Sequence, residues 1–301
     1  MGLFGTQGVA VDPLYRQLSQ HPTLSAQRSF IDGLYARYLP YKDDNFETAF
    51  ASECLAHFWE MYLACALCDA GFQLLSRKDL PKGGPDLCVE SAGQRIWIEA
   101  VTITSGSGAD RIVAPTYEEL GPAHIVPDPG IVLRFCSAIR DKYCGHLVHL
   151  VKQYARPNEP FLIAVNSARL PVEYSENSDD LPYAIKAVLP LGEYSVRVEK
   201  STKKVIHEGY EYRSSIAKLS GSVVPTTSFL DCAFSLISGL LFANVHPLET
   251  KRATPIHFSL LHHLSPQNPL PRHWLGFGEE WTIEKQEAIH LLHRERIIPA
   301  T

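Results

Sequence analysis

Gly84-Pro85-Asp86-Leu87-Cys88-Val89-Glu90-Ser91-Ala92-Gly93-Gln94-Arg95-Ile96-Trp97-Ile98-Glu99-Ala100-Val101, residues 84–101, reads as two strands joined by a tight turn. Ile96, Ile98 and Ala100 alternate with Arg95, Trp97, Glu99 and Val101, giving a strand two distinct faces. Ser91-Ala92-Gly93-Gln94 has the composition of a hairpin turn, so strands are expected over 86–90 and 95–103. A turn symmetric about Ala92-Gly93 puts Asp86 directly opposite Glu99. Like charges so placed repel, unless a cation lies between them or one carboxyl keeps its proton. A hard divalent cation such as Mg2+ is held by one or two carboxylates plus water and substrate phosphate, which makes the pair a candidate metal site.

Upstream, Asp43-Asp44-Asn45 supplies N-cap candidates for one long helix over 46–69, ended by Gly71. Between Leu55 and Cys68 only His57 and Glu60 are clearly polar, so this helix is expected to be buried around most of its circumference. An acid there needs a partner: Glu60 calls for a metal, or for a basic side chain from the second half. Downstream, a Gly- and Pro-rich connection leads to a helix over 133–154. Its apolar stripe is Ile139, Tyr143, Leu147 and Leu150, beside a polar stripe of Lys142, His146, His149 and Gln153. Residues 161–165 suit a buried central strand.

The first 40 residues read as short helices broken by Pro13, Pro22 and Pro40. Past Asn166, strands are expected over 184–189, 194–199 and 205–212, with further candidates over 234–243 and 256–261; residues 173–180 read as a linker or surface loop. The expectation is an α/β fold: a mixed central β-sheet flanked by helices, with a β-rich C-terminal half. It divides into an N-terminal helical segment (1–45), a core (46–172) and a C-terminal extension (173–301), the last either separate or part of the same sheet.

Trp59-Glu60-Met61-Tyr62-Leu63, Gly84-Pro85-Asp86-Leu87 and Trp97-Ile98-Glu99-Ala100-Val101 together resemble the PD-(D/E)XK, or restriction-endonuclease-like, nuclease superfamily. The resemblance spans roughly 46–166 and implies a restriction-endonuclease-like core in which Glu60, Asp86 and Glu99 bind Mg2+ (or Mn2+). A lysine two residues after the strand acid then activates or positions the attacking water. Position 101 is Val, a departure from that pattern, and Lys142 on the polar stripe is the replacement that the family's recruitment of a helix lysine implies. Gln153 and Arg95 are candidates for substrate contact, and Arg95, Lys78 and Lys82 are further cations that could stand in for the lysine. The implied activity is metal-dependent hydrolysis of DNA phosphodiesters. One alternative keeps the fold as a nucleic-acid-binding or scaffold module without turnover; another is a zinc-stabilised interaction module built on Cys65, Cys68 and histidines.

At 301 residues, with 45% hydrophobic and 20% charged side chains, the chain can bury a sizeable core and has a globular composition. A net charge of -5 argues against coating nucleic acid through bulk positive charge, while leaving room for a local basic groove. Residues 1–10 lack the pattern of a secretory signal, and the apolar run 229–245 contains Asp231 and Asn244, so neither export nor a membrane span is expected. Seven cysteines fit reduced thiols and a cytoplasmic setting. Met1-Gly2-Leu3-Phe4-Gly5-Thr6 matches an N-myristoylation pattern.

Among the remaining motifs, Cys65-x-x-Cys68 lies in the buried helix and reads as core, and His290-x-x-His293 reads as an exposed face of a C-terminal helix. Ser105-Gly106-Ser107-Gly108 reads as a loop at the rim of the site, without the Lys-Ser/Thr of a P-loop. Lys200 to Lys204 and Lys251-Arg252 are basic surface clusters. Neither Gly-x-Ser-x-Gly nor His-Glu-x-x-His occurs, which removes serine-hydrolase and zincin readings.

Overall fold

A hairpin organises the fold. In the computed structural model, which describes residues 2–5, 11–91, 93–114, 126–171, 181–250, 258–286 and 289–297, β2 (Leu87–Ser91) and β3 (Gln94–Thr102) pair antiparallel. Leu87 faces Ile98 and Ser91 faces Gln94, the register expected from a turn at 92–93. β1 (Gln73–Leu74) adds to the outer side of β2. A 24-residue crossover helix, α5 (Asp128–Val151), follows β3, and β4 (Phe161–Asn166) then lies parallel to it.

Four more strands continue the same sheet: β9 (Gly239–Ala243), β10 (Ser259–His262), β11 (Gly278–Gln286) and β12 (Ile289–Ile297), in the order β1-β2-β3-β4-β9-β10-β11-β12. β9 runs parallel to β4, β10 antiparallel to β9, β11 parallel to β10, and β12 closes the edge as an antiparallel hairpin with β11. The fold is therefore mixed α/β with a large central sheet. The C-terminal half takes the continuous one of the two arrangements left open by the sequence.

Alternation along β3 and β4 divides the core into two layers. Ile96, Ile98, Leu162 and Ala164 face one side, with α4 (Cys54–Asp69) and the N-terminal helices α1 (Pro13–Gln20), α2 (Ser25–Tyr38) and α3 (Phe46–Ser52). Trp97, Phe161, Ile163 and Val165 face the other, with α5 and the short α6 (Tyr183–Lys186). The described helices of the segment 1–45 thus pack into the same core as α4. Outside the main sheet, β5 (Leu191–Val198) and β6 (Val205–Tyr212) form a ribbon, and β7 (Ser215–Ala217) pairs with β8 (Val223–Pro225).

Several expectations need correction. The helix expected over 46–69 is two helices, broken at Glu53 (φ -137°, ψ 63°), because Phe46 and Phe50 pack against the N-terminal aromatics while α4 turns to the sheet. Residues 184–189 are not a strand: Pro182 opens α6, and the run is buried on all sides, which leaves no periodicity to read. The C-terminal segment is a strand, not a helix, so His290 and His293 lie on opposite faces of β12. The expected linker 173–180 falls outside the described residues. Among the described residues no helix is long and apolar enough to cross a membrane.

Candidate functional site

Asp86 and Glu99 meet as the hairpin register requires. Asp86 immediately precedes β2, and its Oδ2 accepts a hydrogen bond from Ala100 N at 2.8 Å, so the carboxylate itself prolongs the ladder. Glu99 sits on the α5 face of β3 and is only 5% exposed. Across from them, α5 brings Lys142 down onto the pair, where its Nζ donates to Glu99 Oε2 at 2.7 Å and to Asp86 Oδ2 at 3.2 Å. The cation that two facing acids demand is supplied here by a side chain.

The electrostatics follow from this geometry. Burial first, and the charge of Asp86 second, push the Glu99 carboxyl up to about 8, against the pull of Lys142 in the other direction. Lys142 is itself driven upward: burial lowers it, but Asp86 and Glu99 more than offset that.

His149, two turns beyond Lys142 on α5, lies with Nδ1 3.3 Å from Glu99 Oε1, an approach in distance without hydrogen-bond alignment. Burial lowers its pKa, keeping the imidazole neutral. His146 is displaced toward the sheet, stacked on Phe161 at 3.7 Å, and burial drops it to about 4. Of the polar stripe, then, Lys142 and His149 reach the acids and His146 serves the core.

Glu60 is held differently. It comes from α4, on the opposite layer, and its described bonds are with the Tyr38 hydroxyl, which donates to it, and with His57, whose Nδ1 lies 3.3 Å away. Burial raises its pKa first of all, and the Asp86 charge adds to this, so Glu60 senses the pair through space without joining it. Among the described residues no group of three His, Cys, Asp or Glu side chains is arranged to hold a metal ion. The three-acid convergence expected from sequence is replaced by two acids, one lysine and a neighbouring Tyr38–Glu60–His57 cluster.

The remaining candidates lie elsewhere. Arg95 is exposed and faces Glu90, four residues along β3 from Glu99, about 13 Å. Gln153 falls past the end of α5 in a left-handed conformation (φ 59°) and is exposed, because the helix stops at Val151 rather than at 154. Val101 packs against the α5-side core. Lys78 and Lys82 are exposed on the connection between β1 and β2.

Cys65 and Cys68 bond to the Leu34 carbonyl and the Tyr41 hydroxyl at the back of α4, so they serve as core side chains. His262 and His293 pair with Glu280 and Glu284. Lys200 to Lys204 form the exposed tip of the β5–β6 ribbon, while Lys251-Arg252, Met1 and Thr6 fall outside the described residues.

His149, Tyr38 and His57 are the site residues that sequence reasoning did not single out. A signal existed for His149, seven positions after Lys142 on one helix face, and for His57, three positions before Glu60 on another, but none for Tyr38. Comparison of the chain with protein-family models, with curated proteins and with solved structures finds no match in any of the three.

Proposed function

We propose that this protein is a divalent-metal-dependent phosphodiester hydrolase acting on DNA, with Asp86 and Glu99 as the metal-binding acids and Lys142 in the role that Val101 cannot fill. The observation that carries this reading is the ammonium of Lys142, delivered from α5 to within 3.2 Å and 2.7 Å of the two carboxylates. The donor set suits a hard cation, since Mg2+ or Mn2+ needs only one or two carboxylates and fills its remaining positions with water and phosphate oxygen. When bound, such an ion polarises the scissile phosphate and acidifies a water.

The chain's own groups do the rest. Asp86 and Glu99 bind through oxygens fixed by the hairpin, and Lys142 offsets negative charge developing on the phosphoryl oxygens. His149, neutral beside Glu99, can accept a proton.

A second reading is favoured by one feature: Lys142 already neutralises the acid pair, and Glu60 is engaged by Tyr38 and His57, as in a nucleic-acid-binding module without turnover. A cleavage assay on duplex DNA across a Mg2+ and Mn2+ titration separates the two. Metal-dependent cleavage is expected, abolished in Glu99→Ala and lowered by about 10²–10³-fold in Lys142→Ala. Cleavage that persists in both Asp86→Ala and Glu99→Ala rejects this site, and a wild type inert at every metal concentration leaves the binding module.

A further inference from the structure

A second feature lies on the other side of Asp86. The loop between α2 and α3 and the connection between β1 and β2 are stitched together by backbone and side-chain bonds. Arg77 N donates to Pro40 O at 2.8 Å, Ser76 Oγ donates to the same carbonyl at 3.2 Å, and Arg77 Nε meets Asp43 Oδ1 at 2.6 Å. The two segments enclose an open cavity of about 510 Å³ whose wall carries Lys42, Asp43, Asp44, Arg77, Lys78 and Lys82.

The charges are not balanced. Lys42 is satisfied by Glu47 at 3.0 Å and Arg77 by Asp43, whereas among the described residues neither Lys78 nor Lys82 has an acidic side chain within salt-bridge distance. Two free ammonium groups thus face a single remaining acid, Asp44, in a chain whose overall charge is -5. The concentration of positive charge is local.

The cavity is also tied to the candidate site. Arg77 Nη1 donates to the carbonyl of Pro85, the residue that precedes Asp86, at 3.2 Å. Tyr38, which adjoins the cavity residue Leu39 in sequence and donates to Glu60, is raised by burial first and then by neighbouring acids that include both Asp86 and Asp43. The basic wall is thus bonded through Arg77 to the residue that immediately precedes Asp86.

We infer that this cavity is a phosphate-backbone groove, in which Lys78 and Lys82 bind consecutive phosphates of the polynucleotide and lead the chain to Asp86 and Glu99. The inference rests on the phosphodiester reading above for its direction, and on the cavity alone for its binding. Lysine is well matched to such a groove, because a point charge on a long stem tracks a backbone without reading its sequence. The two pre-paired cations, Lys42 and Arg77, hold the wall in place.

The test is binding of a fluorescently labelled DNA duplex without metal, over a salt series, with three variants. Lys78→Ala/Lys82→Ala should lose about 10-fold in affinity at low salt, and its log–log salt slope should become shallower by about 2, one unit per lost phosphate contact. Lys78→Arg/Lys82→Arg should keep the slope. Lys200→Ala/Lys203→Ala removes the same charge from the ribbon tip and should leave the slope unchanged. Equal losses in both alanine pairs would mean diffuse attraction and overturn the groove. A wild type that cleaves DNA while Lys78→Ala/Lys82→Ala binds with an unaltered slope removes the groove and leaves the hydrolase. A wild type that binds with the expected slope difference but never cleaves removes the hydrolase and leaves the groove.

Discussion

Glu99 carries the largest electrostatic consequence of the hairpin register. Its carboxyl normally titrates near 4.5 and is held at about 8 in the folded chain, by burial first and Asp86 second. Between those values the folded state keeps a proton that the unfolded chain has released. The native state therefore binds more protons, and stability must fall as pH rises through that window. The melting temperature of the wild type is expected to decline from pH 5 to pH 8, and Glu99→Gln, which mimics the protonated carboxyl, should flatten the decline. Parallel pH profiles for the two proteins would show that Glu99 does not hold that proton. Much of this was legible beforehand. A symmetric turn at 92–93 sets Asp86 against Glu99 by arithmetic, and helical spacing puts Lys142 on a polar face. Tyr38 was not legible as a partner of Glu60, because it lies 22 positions away and only tertiary packing unites them, whereas His57 stands three residues before Glu60 on the same helix face.

Secondary-structure elements were readable where their periodicity was strong and their burial one-sided. β2, β3, β4 and β6 match their expected spans to within a residue or so, since hairpin alternation or a bounded apolar run marks each. The break at Glu53 carries no Gly or Pro and arises from packing, while β12 hides its alternation under the charges of an edge strand, Arg294, Glu295 and Arg296. One connection makes a demand on a single residue. Gly106, in the loop after β3, has φ +80°, and a Cβ built there would lie 1.9 Å from a guanidinium nitrogen of Arg134 on α5. A side chain at position 106 would strain the backbone and push the end of the Arg134 side chain aside. Gly106→Ala is expected to cost about 1–3 kcal/mol in chemical denaturation, through both backbone strain and displacement of Arg134. Gly83→Ala, at φ +75° with no atom within 4 Å, should show only the conformational part, so equal losses in the two variants would remove the steric argument.

The continuity of the eight-stranded sheet decides how the whole chain folds. β4 has all six residues buried and is hydrogen-bonded on both sides, to β3 from the first half and to β9 from the second. Its main-chain Ala164 carbonyl also accepts from Trp59 Nε1 at 3.0 Å, which ties α4 to the same strand. Gly239 permits the close approach of β9, because a Cβ there would lie 2.9 Å from Leu261 O and 3.1 Å from Leu162 Cδ2. Cutting the chain at 172 would therefore turn a fully buried central strand into an exposed apolar edge, a template for aggregation rather than a domain boundary. Removing 1–45 would likewise uncover α4, whose partners Ile31, Leu34 and Tyr38 are buried against it. The fragment 46–172, though it carries Asp86, Glu99 and Lys142, is expected to lack a cooperative melt and to self-associate by size-exclusion chromatography. The entire chain should unfold with the sheet and both helical layers as one unit, so circular dichroism in the far and near ultraviolet should trace coincident transitions. A soluble 46–172 fragment melting cooperatively near the temperature of the full chain would mean that β9–β12 decorate the sheet without completing it. The acid pair would then owe its burial to the first half alone.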